Sequence, residues 1–201
     1  MGVLCFVADL PALPPETLRR LKQCWLQLAN YYAVAPPSSP PPPPRRSTAL
    51  GDRIALCYVF FDRLTASRHL KVAYSPGEDF DLCRFHRAVG SMPADAFLPD
   101  SSTLDRCDTK LLSLLSDESI YSWSSEDIAR KIVVLTSSLP LEMDAALHDS
   151  LLGAADKCVS VEFLLFETRS VHLRHMQENT IKFVRSISDL DNCSISACLP
   201  G

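Results

Sequence analysis

The stretch VLCFVADLPALPPETL, Val3 to Leu18, decides how the rest of the chain is read. Val3 to Ala8 is an unbroken apolar run closed by Asp9 and Pro11. Such a run, with polar and proline residues at its end, predicts a strand buried on both faces. Pro14-Pro15-Glu16 then opens a helix, because proline is tolerated in a first turn and an acid there suits the helix dipole. Leu18, Leu21, Trp25, Leu28 and Tyr32 recur at three- and four-residue spacing, which predicts one apolar stripe running to about Val34 and packed on a sheet. Asp9 stands where many enzymes keep a catalytic or metal-binding carboxylate. Its plainest role is to cap the turn or to accept hydrogen bonds from N–H groups at the start of the helix.

Outward from this unit the pattern continues. RIALCYVFFD, Arg53 to Asp62, reads as a buried strand, and RHLKVAYSP, starting at Arg68, alternates as an edge strand does. The two are expected to form an antiparallel hairpin. FDLCRFHRAVGSM (Phe80 to Met92) predicts a short helix, and Pro93 to Ser125 is polar with one helix expected from Thr103 to Leu115. Lys131 to Ser138 predicts a strand, Pro140 to Cys158 a helix, Val159 to Glu167 a strand, Glu178 to Leu190 a helix, and NCSISAC a last short strand. Alternating strands and helices imply βαβ crossovers. The expected fold is α/β, a Rossmann-like three-layer sandwich whose mostly parallel sheet carries one antiparallel edge strand. Residues 1–201 are read as a single domain interrupted by a disordered, solvated proline-rich insertion at 35–48.

Composition narrows the function. A chain of 201 residues with 47% hydrophobic and 22% charged content is globular, and no apolar run approaches the roughly 20 residues that span a bilayer. No membrane association is expected. The formal net charge is −4 and the Lys and Arg residues are scattered, which argues against direct nucleic-acid binding. Only six glycines are present, and no glycine-rich phosphate motif occurs. The N-terminus lacks the pattern of a secretory signal, and the eight dispersed cysteines suit a reducing compartment, where they act as small hydrophobes. An intracellular location, nucleus or cytoplasm, is expected. The chain ends just after the last expected strand, which fits one domain or a short form of a longer protein.

Ligands of open α/β sheets bind outside the carboxyl ends of the strands. That crevice should collect Asp9, the Leu10–Leu13 turn, Asp62, Thr136 to Ser138 and Glu167 to Arg169. The order of elements, with a strand-aspartate-helix opening, a hairpin after the first helix and further βα units, resembles the von Willebrand factor A family. The resemblance implies a strand-end Asp-x-Ser-x-Ser motif that helps hold a divalent cation, with a later strand end supplying another aspartate. Here the matching residues are Asp9-Leu10-Pro11-Ala12-Leu13, and Ser137 stands at the later position. A proline ring and a leucine offer no oxygen to a hard cation. The cation site is therefore expected to be lost, leaving no metal and no cofactor. A second resemblance is to haloacid dehalogenase-like phosphatases, which implies a Mg-dependent enzyme with Asp9 as nucleophile and Thr136 after the later strand. Pro11 removes that family's second carboxylate, and Asp189 and Asp191 echo its late acidic pair. A receiver-type domain fails for want of an early acidic pair.

Elsewhere, Pro40, Pro43 and Arg45 satisfy P-x-x-P-x-R, a pattern read by polyproline-binding domains, although five consecutive prolines match it trivially. His172 and His175 lack a third ligand and read as an exposed loop. Ser113 to Ile128 is a serine-rich acidic segment of the kind that kinases modify, and its Tyr121 and Trp123 could anchor a partner. The spacing of LCFVADLP, ALCYVFF and KIVVLTSSLPLEMDAALHDSL is similar to the N-terminal regions of the meiosis 1 associated protein and treslin families. Together these features predict a non-enzymatic protein-protein interaction module of an intracellular, chromosome-related complex, without catalytic residues. Its binding residues would be drawn from Asp9, Pro11, Thr136, Ser137, Pro40, Pro43, Arg45, Tyr121 and Trp123. The alternative is the phosphatase.

Overall fold

Val3–Asp9 forms β1, with Arg53–Asp62 (β2) parallel on one side and Arg130–Thr136 (β4) parallel on the other. A strand flanked on both edges inside a three-layer fold has no polar face, which is why its sequence is a continuous apolar run. The computed structural model describes residues 2–34, 53–77, 80–94, 108–116, 120–123, 128–139, 143–166, 183–185, 187 and 189–198. Ser67–Tyr74 (β3) pairs antiparallel with β2, while Val159–Phe166 (β5) and Cys193–Cys198 (β6) extend the sheet in parallel beyond β4. The order is β3-β2-β1-β4-β5-β6, and the mostly parallel sheet with one antiparallel edge strand is the fold class that the sequence predicts.

Among the described residues the sheet is accompanied by α1 (Pro15–Val34), α2 (Leu82–Gly90), α3 (Leu111–Leu115) and α4 (Ala145–Asp156), and by helical residues at 183–185 and 187. Alternation along the strands sorts them into two faces. Cys5 and Val7 of β1, Ala55, Cys57 and Val59 of β2, and Ile132 and Val134 of β4 pack with α3, α4 and the helical residues Phe183 and Ile187. Their neighbours Ala8, Leu56, Tyr58, Val133 and Leu135 pack with Leu18, Trp25 and Ala29 of α1 and with Phe85 and Val89 of α2. Each face is closed by aromatic contacts. Phe163 meets Phe183 edge to face at 5.2 Å, and Tyr74 meets Phe85 likewise at 5.2 Å. Asn192 joins three elements, its Nδ2 donating to the carbonyls of Leu151 at 3.1 Å and Val159 at 3.0 Å just before β6 begins.

Some expectations need correction. Of the helix expected from Thr103 to Leu115, residues 103–107 lie outside the described residues, and α3 starts at Leu111, because Lys110 sits in the left-handed region at φ 55° and Asp108 Oδ1 accepts its N–H at 2.8 Å. The helix expected from Pro140 begins instead at Ala145, where Asp144 caps it by accepting the Leu147 N–H. It ends at Asp156, and Cys158 beyond it turns left-handed at φ 57°. The strand expected to reach Ser138 stops at Thr136. Cys5 and Cys57 are buried side by side with sulfurs 3.9 Å apart, but Cys24, Cys83 and Cys158 are exposed rather than core. The proline-rich insertion at 35–48 lies outside the described residues. Among the described residues no helix is long and apolar enough to cross a membrane.

Candidate functional site

The carboxyl ends of the strands meet around Asp9. Ala8 is paired with Leu135, so the next residues, Asp9 and Thr136, end adjacent parallel strands side by side. Both are fully buried. Thr136 Oγ1 lies 3.0 Å from Asp9 Oδ2 and 2.8 Å from the Ser138 carbonyl oxygen, and it accepts the Ser138 N–H at 3.1 Å. The hydroxyl has one proton, and the carboxylate is the stronger acceptor.

The other carboxylate oxygen is held from the opposite side. Arg68 Nη1 is 2.9 Å from Asp9 Oδ1, and the two side chains are 8% and 0% exposed. Arg68 is the second residue of the edge strand β3, paired with Phe61 of β2, while Asp9 is paired with Val59 of the same β2. Phe61 and Val59 share a strand face, so Arg68 leans over β2, along the face of α3 and α4, to reach β1. Strands are about 4.8 Å apart, and only a long side chain bridges two such intervals.

The turn after β1 is closed by the main chain of Asp9. Its carbonyl oxygen accepts the N–H of Ala12 at 3.1 Å and of Leu13 at 3.0 Å, while Leu10 N–H reaches the Val59 carbonyl at 3.1 Å. The expected capping role thus belongs to the Asp9 backbone, and the carboxylate binds side chains from β3 and from the end of β4. Leu10, Pro11, Ala12 and Leu13 are all buried, so the turn is an apolar plug over α1's face of the sheet.

Other expected site residues fall in different places. Ser137 is 2% exposed and its buried Oγ meets no hydrogen-bond partner. Asp62 is spent on the β2–β3 turn, where its Oδ1 accepts the Leu64 N–H at 2.9 Å and its Oδ2 lies 3.1 Å from Thr65 Oγ1. The Leu64 N–H, foremost, holds the Asp62 carboxyl below its ordinary range. Asp189 and Asp191 precede β6, at the amino end of the parallel strands and so at the opposite rim from Asp9. Tyr121 and Trp123 also belong to that opposite rim, half-buried beside the first residues of β4 and β2. The Tyr121 ring lies 5.4 Å from the Arg130 guanidinium and 4.4 Å from Lys157 Nζ, and the Trp123 carbonyl accepts from Arg53 Nη1 at 3.2 Å. Pro40, Pro43, Arg45, Glu167 to Arg169, His172 and His175 lie outside the described residues.

Arg68 is the residue that sequence reasoning missed. The available signal was parity: in a hairpin register that puts Arg68 opposite Phe61, it shares a strand face with Asp9.

The residues present do not fit a divalent cation. Asp9 already spends Oδ1 on Arg68 and Oδ2 on Thr136, and Pro11 and Leu13 offer no side-chain oxygen. Among the described residues no group of three or more His, Cys, Asp or Glu could hold a metal ion. Asp9 has no exposed surface, and both its carboxylate oxygens are held by partners within the chain.

No family model matches this sequence, and no curated protein sequence matches it. Solved structures do share its fold. Proximal thread matrix protein 1 from the mussel byssus, in a structure described as having a zinc-occupied MIDAS motif, aligns with TM-score 0.57 and 10% identity over 99% of this chain and 44% of that one. The VWA domain of SpRpn10 aligns with TM-score 0.51 and 11% identity over 100% of this chain and 89% of that one. A von Willebrand factor type A protein from Catenulispora acidiphila aligns with TM-score 0.53 and 12% identity over 98% and 38%. This chain spans less than half the length of the mussel protein. The fold is von Willebrand factor A-like.

Proposed function

We propose that the chain is a non-enzymatic protein-protein interaction module that keeps the von Willebrand factor A-like sheet and dispenses with chemistry at its strand ends. The observation that carries this reading is the saturation of Asp9: both its oxygens have partners within the chain, and it is 0% exposed. A carboxylate so placed serves the fold, and recognition falls to the surface. The candidates for that surface are Tyr121 and Trp123 at the amino rim and the Pro40–Arg45 stretch. The partner is a protein. The net charge of −4 supports this over direct nucleic-acid contact.

We place its action inside the cell, in nucleus or cytoplasm, within a chromosome-related complex. Its support is the set of eight dispersed cysteines, which suit a reducing compartment, and the likeness in motif spacing to the meiosis 1 associated protein family; imaging of the tagged chain checks it. Affinity capture tests the module itself, with the full chain, a chain lacking 36–46 and a Trp123→Ala chain as baits. The same protein should return with the full chain whether the buffer holds magnesium or a chelator, and one of the two altered baits should lose it without losing thermal stability. Turnover of a generic phosphoester that requires magnesium and disappears in Asp9→Asn would replace this reading with the phosphatase.

A further inference from the structure

We infer that Arg68 is the resident cation of the strand-end site: its guanidinium supplies, from within the chain, the positive charge that a bound divalent ion would otherwise bring to Asp9. A carboxylate with no exposure is costly to leave ionised without a counter-charge and hydrogen bonds. Arg68 provides the charge at 2.9 Å, itself only 8% exposed, and Thr136 provides the second donor at 3.0 Å. The rest of the rim is consistent with this arrangement. The turn residues that would have to contribute oxygens are Pro11 and Leu13, both buried in the apolar plug.

Arginine suits this task because it stays protonated at any accessible pH and carries several donors in a fixed fork. A metal ion has an affinity, an exchange rate and a chelator; a guanidinium tethered to β3 has none of these. The charge at this end of the sheet is therefore permanent, and it also pins the edge hairpin to the central strand. Recognition of a protein partner by this chain would then be independent of divalent metal. That last consequence rests on the interaction-module reading, whereas the replacement of the ion by Arg68 does not.

The test uses the full chain alone, so its outcome is separate from whether a partner is captured. Thermal unfolding is followed in chelator, in millimolar magnesium and in millimolar manganese, and free manganese is titrated by electron paramagnetic resonance. The wild type should melt at one temperature in all three and leave manganese free. Asp9→Asn and Arg68→Met should each lower the melting temperature by roughly 6 to 20 °C, since each leaves one buried partner uncompensated. The double variant, with both charges gone, should melt above the sum of the two losses, and it should fold even where a single variant does not. Saturable manganese binding to the wild type that Asp9→Asn abolishes would overturn the inference. Strictly additive losses in the double variant would overturn it as well.

Discussion

Two carboxylates in this sheet meet a cation from another strand, in opposite surroundings. Asp9 and Arg68 are buried at 0% and 8% exposure, whereas Glu162 of β5 and Lys131 of β4 form a 2.7 Å pair whose side chains are 22% and 52% exposed. Glu162 also accepts from Ser196 of β6 at 3.0 Å, so this second carboxylate ties three strands together in partial contact with water. Water compensates either partner of the exposed pair if the other is lost. It cannot reach the first. The chemistry is shared, and exposure decides which pair the fold depends on.

The largest effect that would break this contrast is at Arg68. Arg68→Ala should cost about 3–5 kcal/mol, because it strands a buried carboxylate; urea unfolding measures it, and a loss under 1 kcal/mol would put the two pairs in the same class. Next is Thr136→Val, which keeps the shape but removes a donor to Asp9 and an acceptor for the Ser138 N–H. A loss of about 1–3 kcal/mol is expected in the same assay. The smallest is Glu162→Gln, expected to cost no more than about 1 kcal/mol at neutral pH, since the pair is well over a third exposed on its lysine side.

The exposed pair also carries a pH signature. The Lys131 hydrogen bond, opposed by burial and aided by the Ser196 hydroxyl and the Lys131 charge, holds the Glu162 carboxyl below its ordinary value of 4.5. A group depressed in the folded state contributes its stability above the unfolded value and loses it as pH falls through the folded one. The stability gap between wild type and Glu162→Gln should therefore be full above about pH 4.5 and close on further acidification, as measured by urea titrations across that range. About 1 M salt, with its Debye length of ~3 Å, should also narrow that gap while leaving the Arg68→Ala loss nearly intact.

How much of this was legible follows from where each signal resides. β1, β2 and β4 are visible as apolar runs because a strand covered on both faces has little polar alternation, β5 opens on an alternating Val-Ser-Val-Glu-Phe before a short apolar run, and β3 is visible because an edge strand alternates. The sites of helix initiation were less readable. Pro140 suggests a start by its fixed φ, yet the helix waits for Asp144, whose carboxylate supplies the cap that proline cannot. α3 starts only at Leu111, because Lys110 adopts a left-handed conformation that lysine does not announce. At the site, Asp9 and Thr136 could be placed together from strand order alone. Arg68 could not, because its partner is two strands away and 59 positions earlier, and an arginine on an edge strand ordinarily faces water.

The central position of β1 also shapes how the molecule is made. β1 is synthesised before the other strands of this sheet and becomes its interior, and the hydrogen bond from Thr136 that completes it spans 127 positions of chain. At ~5–20 residues per second of synthesis, β1 waits roughly 6 to 25 s for β4. Throughout that interval one edge of an apolar ribbon stands unpaired, so nascent-chain handling is a demand written into this strand order.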